Sequence, residues 1–184
     1  MTIRDESRSC VVSLAGEFGT PSAMRSYRGG NGDLVPQVRR IVEETGIDPH
    51  TLRLEITESI TIGDADREVS MLSQLKALGI RLSIDDFGTG YSSLSYLHRF
   101  PVDILKIDRS FVVRLFDSPR DEALVASIIR IAHAFDVKVV AEGVEEARFV
   151  TRLSELGCDE FQGYYFAKPM PADVFIAWMG DHLR

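Results

Sequence analysis

Leu82–Leu94 reads LSIDDFGTGYSSL. Strand-like alternation runs into two adjacent carboxylates, Asp85 and Asp86. A loop with Gly88 and Gly90 follows, then a Tyr-Ser-Ser start to a new helix. Neighbouring aspartates at a strand end repel each other unless something positive lies between them. A divalent cation bound by oxygen ligands is the usual remedy. The plainer alternative is a solvated acidic turn, and an Asp-Asp pair in isolation favours it. The rest of the chain decides between the two.

Outward from this stretch one plan repeats: an amphipathic helix, a stop signal, a short β-rich run. Asp33 is positioned to cap a first helix that tolerates Pro36 in its first turn. Its apolar stripe is Leu34, Val38, Ile41 and Val42, Gly46 stops it, and LRLEIT then alternates as a strand. A second helix carries Val69, Leu72, Leu75 and Leu78, stops at Gly79 and leads to IRLSID. A short helix near Ser92–His98 precedes VDILKID. A third long helix, with Leu124, Ile128, Ile131 and Phe135, leads to VKVVAE. A fourth, with Val150, Leu153 and Leu156, stops at Gly157 before DEFQGYYF. Helical and strand periods in alternation imply parallel strands joined by crossover helices, an α/β fold. Residues 1–32 do not share the plan. Arg25–Gly32 reads as loop or linker, and Cys10–Leu14 is at most a short strand. The chain therefore divides into a loop-like segment, 1–32, and a domain, 33–184.

Bulk properties narrow the function. The chain has 184 residues, 45% hydrophobic and 27% charged, the composition of one ordinary globular domain. No apolar run approaches the roughly 20 residues of a membrane span, and no signal-peptide core opens the chain, so a cytoplasmic setting is expected. Cys10 and Cys158 have neither metal-ligand spacing nor the numbers for a disulfide framework. A net charge of −7 argues against broad nucleic-acid binding. A phosphate-bearing ligand would need a local cation to offset that field.

Side chains of a strand alternate between two faces. In LRLEIT, Leu52, Leu54 and Ile56 share one face, and Arg53, Glu55 and Thr57 the other. Glu55 lies near its strand's C-terminal end, Asp85 ends the next, and Lys106 sits late in VDILKID. Glu142 directly follows VKVVA, and Gln162 lies in DEFQGYYF. Each has an ordinary explanation taken singly: a solvent-reaching lysine, a turn glutamate, a core-edge amide. Their shared position at the C-terminal ends of five successive strands favours a common site, because parallel α/β sheets build their sites at that edge. Glu55, Asp85 and Asp86 supply the oxygen ligands that Mg²⁺ or Mn²⁺ prefers, and such ions activate water against phosphoryl groups. His50, His98, His133 and His182 are scattered, which supports neither structural zinc nor a serine triad.

The runs LEITES, SIDDFGTGYSSL, LKIDRSFV, VVAEGVE and QGYYFAKPM resemble, in order and spacing, the EAL-domain family of cyclic-di-GMP phosphodiesterases. The resemblance covers about Asp33 to the C-terminus. It implies a (β/α)8 TIM-type barrel and metal-assisted hydrolysis of one phosphodiester bond of cyclic di-GMP to give linear pGpG. By motif, Glu55 and Asp85 would be metal ligands and Asp86 a ligand of a second metal. Glu58 would steady the loop after Asp86. Lys106, Glu142 and Gln162 would position the attacking water or the ligand phosphate.

The chain also departs from the family. The N-terminal strands bearing the signature Glu-Ala-Leu and a metal-binding Asn are not matched. Glu122-Ala123-Leu124 spells the signature inside an expected helix, which is coincidence. Thr20-Pro21-Ser22-Ala23 offers no Asn, and Asn31 lies too close to the first helix to replace it. The expectation is a partial barrel with weak metal binding and impaired turnover, so whether it is an enzyme stays open. The alternative is a non-catalytic regulator that binds cyclic di-GMP or a protein. An open barrel also leaves strand edges and apolar residues such as Ile84, Ile104 and Val139 in need of cover, so a homo-oligomer or a partner chain is expected.

Overall fold

The computed structural model describes residues 34–57, 65–88 and 94–171, together with residues 174, 175, 177, 178 and 180. The readings made for residues 1–32, with Cys10–Leu14, and for the Asp33 cap lie outside these. In chain order the elements are α1 (Leu34–Thr45), a 3-10 turn (Pro49–Thr51), β1 (Arg53–Thr57) and α2 (Ala65–Ala77). There follow β2 (Arg81–Phe87), α3 (Leu94–Arg99), β3 (Ile104–Ile107) and α4 (Arg109–Val113). The last are α5 (Pro119–Ala134), β4 (Lys138–Ala141), α6 (Ala147–Glu155) and β5 (Glu160–Phe161). The five strands form one sheet in the order β1-β2-β3-β4-β5, every pair parallel. The expected α/β alternation is present throughout. Among the described residues no helix is long and apolar enough to cross a membrane.

Register separates the two faces of the sheet. Leu82, Ile84, Leu105, Ile107, Val139 and Ala141 belong to the main hydrophobic core, with Leu72 and Leu75 of α2 and Val125, Ile128 and Ile129 of α5. The opposite face carries Arg53, Glu55, Ser83, Asp85, Lys106 and Glu160, with Ile104 and Val140 as its apolar members. The expectation of uncovered apolar residues is corrected here: Ile84, Ile104 and Val139 are 5%, 1% and 0% exposed. Ile84 and Val139 lie beneath the helices, not on the barrel interior, and that interior is mostly polar.

The stripe of α5 is also corrected. Its buried residues are Val125, Ala126, Ile128, Ile129 and Ala132, whereas Leu124 is 45% exposed. The run LVASIIRIA offers two apolar stripes, and packing against β3 and β4 selects one. Glu122-Ala123-Leu124 lies within this helix, as expected.

Two matching clamps hold the N-terminal edge of the sheet. Asp103, just before β3, accepts from the Leu82 backbone N–H at 2.9 Å and pairs with Lys76 Nζ at 2.8 Å. Asp159, just before β5, accepts from the Val139 N–H at 2.8 Å and meets His133 Nε2 at 2.8 Å. In both, the partner comes from the last turn of the preceding long helix. Each aspartate thus ties a strand, the next strand and a helix end together. Asp103→Ala removes an acceptor from a partly buried N–H and should cost about 1–3 kcal/mol, read as a lower urea midpoint at an unchanged m-value. No loss of midpoint would show that the clamp is incidental.

Candidate functional site at the carboxyl edge of the sheet

Lys106 is the centre of the site. It stands on β3, the middle strand, and is 4% exposed. Its Nζ lies 2.9 Å from Glu55 Oε1 on β1, 2.8 Å from Asp85 Oδ1 on β2 and 2.5 Å from Glu142 Oε1 beyond β4. One ammonium thus faces three carboxylates, two on strands β1 and β2 and one just past β4. The positive charge that the Asp-Asp pair demanded is, in part, this lysine. Burial alone would push its ammonium down. The Glu142 charge and the contacts with Asp85, Glu142 and Glu55 outweigh that and hold it well above its ordinary value.

A break in register brings Asp85 and Asp86 to the same place. Ile84 pairs with Leu105, but Phe87 pairs with Ile107, so two residues stand opposite Lys106. This bulge places Asp86 at φ 53, in the left-handed region. On a regular strand consecutive side chains diverge. Here oxygens of Asp85, Asp86 and Glu142 all lie within 4.8 Å of one another. Burial, then the charges of Asp85 and Asp108, push the Asp86 carboxyl above its ordinary value, although Lys106 works the other way. Burial likewise pushes Glu142 up, partly offset by Lys106. A bulge that doubles the carboxylates at one point stores repulsion that a cation can relieve.

The backbone around this point is tight. Gly88 has φ +100, and a Cβ there would lie 2.7 Å from the Phe111 ring. Gly143 has φ +70 and lies under Arg109, whose Cγ would be 2.2 Å from an added Cβ. Arg109 also bonds Glu145 at 2.7 Å, tying the segments after β3 and β4 together. Val144 N–H donates to Gln162 O at 3.0 Å, and Gln162 N–H to Ala141 O at 2.8 Å. Glu142 and Gln162 are therefore held on rigid neighbouring segments. Asp86→Gly and Asp86→Ala both delete the carboxylate, but only glycine keeps the left-handed turn without strain. The glycine variant should be more stable by about 1 kcal/mol, melting roughly 2–4 °C higher. Equal melting temperatures would mean that this turn carries no strain.

Of the residues singled out in sequence, Glu55, Asp85 and Glu142 converge on Lys106, and Asp86 joins through the bulge. Gln162 sits half-buried at the same edge. Glu58 and Gly90 lie outside the described residues. The tightest oxygen cluster is Asp85, Asp86 and Glu142, while Glu55 reaches the group through Lys106. Asp108 was not singled out. It caps α4 by accepting from Ser110 N–H and adds charge beside Asp86; its place in LKIDRSFV, just past the strand, was the available signal. Cys158 is buried, its thiol pushed up to about 12 by burial, and takes no part.

The donor set fits a hard divalent cation. The cluster contains only carboxylate oxygens. Asp85 Oδ1 is buried 2.8 Å from Lys106 Nζ, and a carboxylate offers about four lone-pair sites, more than that ion pair uses.

Residues 23–169 match the EAL domain family. The cyclic di-GMP phosphodiesterase NbdA of Pseudomonas aeruginosa is 45% identical over 142 residues, 77% of this chain and 18% of its own. This chain spans about a fifth of the length of such curated relatives. The MucR phosphodiesterase, solved as a c-di-GMP complex, superposes with a TM-score of 0.74 at 43% identity, covering 79% of this chain and 59% of that one. Klebsiella pneumoniae BlrP1, solved with manganese and c-di-GMP, gives a TM-score of 0.67 at 34% identity, covering 83% and 36%. The EAL domains share a TIM-barrel-like fold, to which this parallel sheet corresponds.

Proposed function

The chain belongs to the EAL-domain family, and from that premise we propose that its carboxyl-edge cluster binds cyclic di-GMP and serves its hydrolysis to linear pGpG. The observation that carries this reading is the convergence of Glu55, Asp85 and Glu142 on buried Lys106, with Asp86 turned in by the bulge. Glu55, Asp85 and Asp86 would hold Mg²⁺ or Mn²⁺. Such an ion, when bound, offsets charge on the phosphoryl oxygen and makes water a better nucleophile. Lys106 holds the three carboxylates apart at fixed distances and presents positive charge towards the phosphate. Burial raises the proton affinity of the Glu142 carboxylate, which suits it to take a proton from the attacking water. Water then adds to phosphorus as its proton passes to Glu142, one P–O bond to ribose breaks, and the freed ribose oxygen takes a proton from solvent water. Gln162 offers an amide donor to the ligand phosphate. Glu58, in the same reading, steadies the loop that follows Asp86. The nucleotide ligand suits a cytoplasmic setting.

These 184 residues carry neither the signature glutamate nor the family's asparagine, so metal binding is expected to be weak and turnover slow. Purified chain with Mn²⁺ and cyclic di-GMP, followed by chromatography for pGpG, tests the reading. Slow product formation lost in Asp85→Ala supports it. Robust turnover would refute the expected impairment. Binding without product would favour the second reading, a non-catalytic cyclic-di-GMP regulator, which the lack of the signature glutamate and the asparagine here also supports.

Assembly belongs to the same proposal. Among the described residues β1 pairs with β2 and β5 with β4, and the outer strands of a partial barrel are where a second copy or a partner chain is expected to pair. Light scattering over a concentration series should show a dimer or larger species. A monomer at all concentrations, with a sharp melt, would count against it.

A further inference from the structure

Arg53 and Glu160 form an ion pair that no step of the proposed hydrolysis uses. Arg53 opens β1 and Glu160 opens β5, 107 residues apart in sequence, and Nη2 meets Oε2 at 3.2 Å. Both side chains are almost fully buried, 6% and 4% exposed. The two strands are not hydrogen-bonded to each other. On a flat sheet four strand spacings would separate them by about 19 Å. Only strong curvature lets these side chains meet, so the pair spans the concave face as a chord.

What stands above the chord gives it meaning. Glu55 lies two residues beyond Arg53 on the same face of β1, and Gln162 two residues beyond Glu160, just past the end of β5. Two residues of strand rise about 7 Å. Each end of the chord thus lies one side-chain layer below a residue of the site, on the first and last strands of the described sheet.

We propose that the Arg53–Glu160 pair is a positioning strut that fixes the separation of β1 and β5 and thereby sets Glu55 and Gln162 against Lys106. The strut touches neither ligand nor metal; its role in binding rests on the function proposed above, while its role in geometry does not. Charge and fork geometry both matter, because a planar guanidinium on a carboxylate restrains direction as well as distance.

Arg53→Met combined with Glu160→Leu tests this. Replacing a buried pair by hydrophobic residues of similar volume commonly preserves folding, so the chord is removed without stranding a charge. Arg53→Lys, read the same way, covers the case in which the double variant fails to fold. The first measurement is amide hydrogen exchange in the full chain without metal. Exchange at Glu55 and Gln162 should accelerate at least tenfold while Leu105 on β3 is unchanged. The second is Mn²⁺ binding by calorimetry, where the dissociation constant should rise about tenfold at an unchanged melting temperature. The swap Arg53→Glu with Glu160→Arg should restore both. Unchanged exchange at Glu55 and Gln162 overturns the strut, as does equal acceleration across all strands, which would mark a general stabiliser. Should the parent chain itself bind no Mn²⁺, the proposed function fails, and the exchange pattern alone still decides the strut.

Discussion

Lys106→Met should destabilise the chain by about 3–5 kcal/mol at neutral pH, the cost of stranding buried carboxylates without their partner. Methionine fits the same space and removes the cost of burying an ammonium, so two effects oppose each other. The electrostatic one wins because Glu55, Asp85 and Glu142 would then face one another with no cation among them. Arg109→Met is the control. Its pair with Glu145 is exposed, 59% and 44%, and should be worth less than about 1 kcal/mol. The lysine effect should also depend on pH. Asp86 and Glu142 are already raised in the folded chain, so the stability each lends is present at acid pH and lost as pH rises through the folded value. Removing Lys106 takes away a contribution that lowers both and moves them further up. Lys106 itself, held above its ordinary value, stays charged throughout this range. The gap in urea midpoint between wild type and variant should therefore be wide at neutral pH and shrink as the carboxylates protonate. A gap independent of pH would show that shape, not charge, is what Lys106 supplies.

The fold was legible because its period is local. Stops at Gly46, Gly79 and Gly157, each with positive φ in the structure, separate helical from strand patterns in the sequence itself. The site was legible in part for the same reason, since a polar residue at the end of every strand is a one-dimensional signal. What escaped is what depends on a neighbour. The bulge exists only relative to β3, because Asp85 and Asp86 look like two regular strand residues until Phe87 is seen to pair with Ile107. The role of Lys106 as the hub of three acids needed the lateral order of the strands. Arg53 and Glu160 needed the curvature of the whole sheet. The α5 stripe failed differently, because two stripes were apolar enough and only contact with β3 and β4 distinguishes them.

Asp85→Asn should separate stability from ion binding more cleanly than any other change at the site. Asp85 carries a buried oxygen beside Lys106, and it belongs to the Asp85–Asp86–Glu142 cluster. The amide keeps the shape and one oxygen but removes a charge from an over-acidic group, so without metal the variant should melt no lower than the parent. The parent should gain from Mn²⁺ by mass action: about 2.7 kcal/mol at a hundredfold excess over the dissociation constant, or roughly 5–10 °C for a chain of this size. The variant should lose most of that gain, and turnover, where the parent shows any, should fall by about two orders of magnitude or more. Protons compete with the cation for Asp86, whose carboxyl is held above its ordinary value. The parent's Mn²⁺ shift should therefore grow from mildly acidic to neutral pH, and the Asp85→Asn variant should show little shift at either. Asp86→Asn should weaken the shift less, because Asp86 is the more exposed of the pair. An Asp85→Asn variant stabilised by Mn²⁺ as strongly as the parent would place the cation elsewhere, and the carboxyl-edge cluster would then be a lysine-neutralised structural feature.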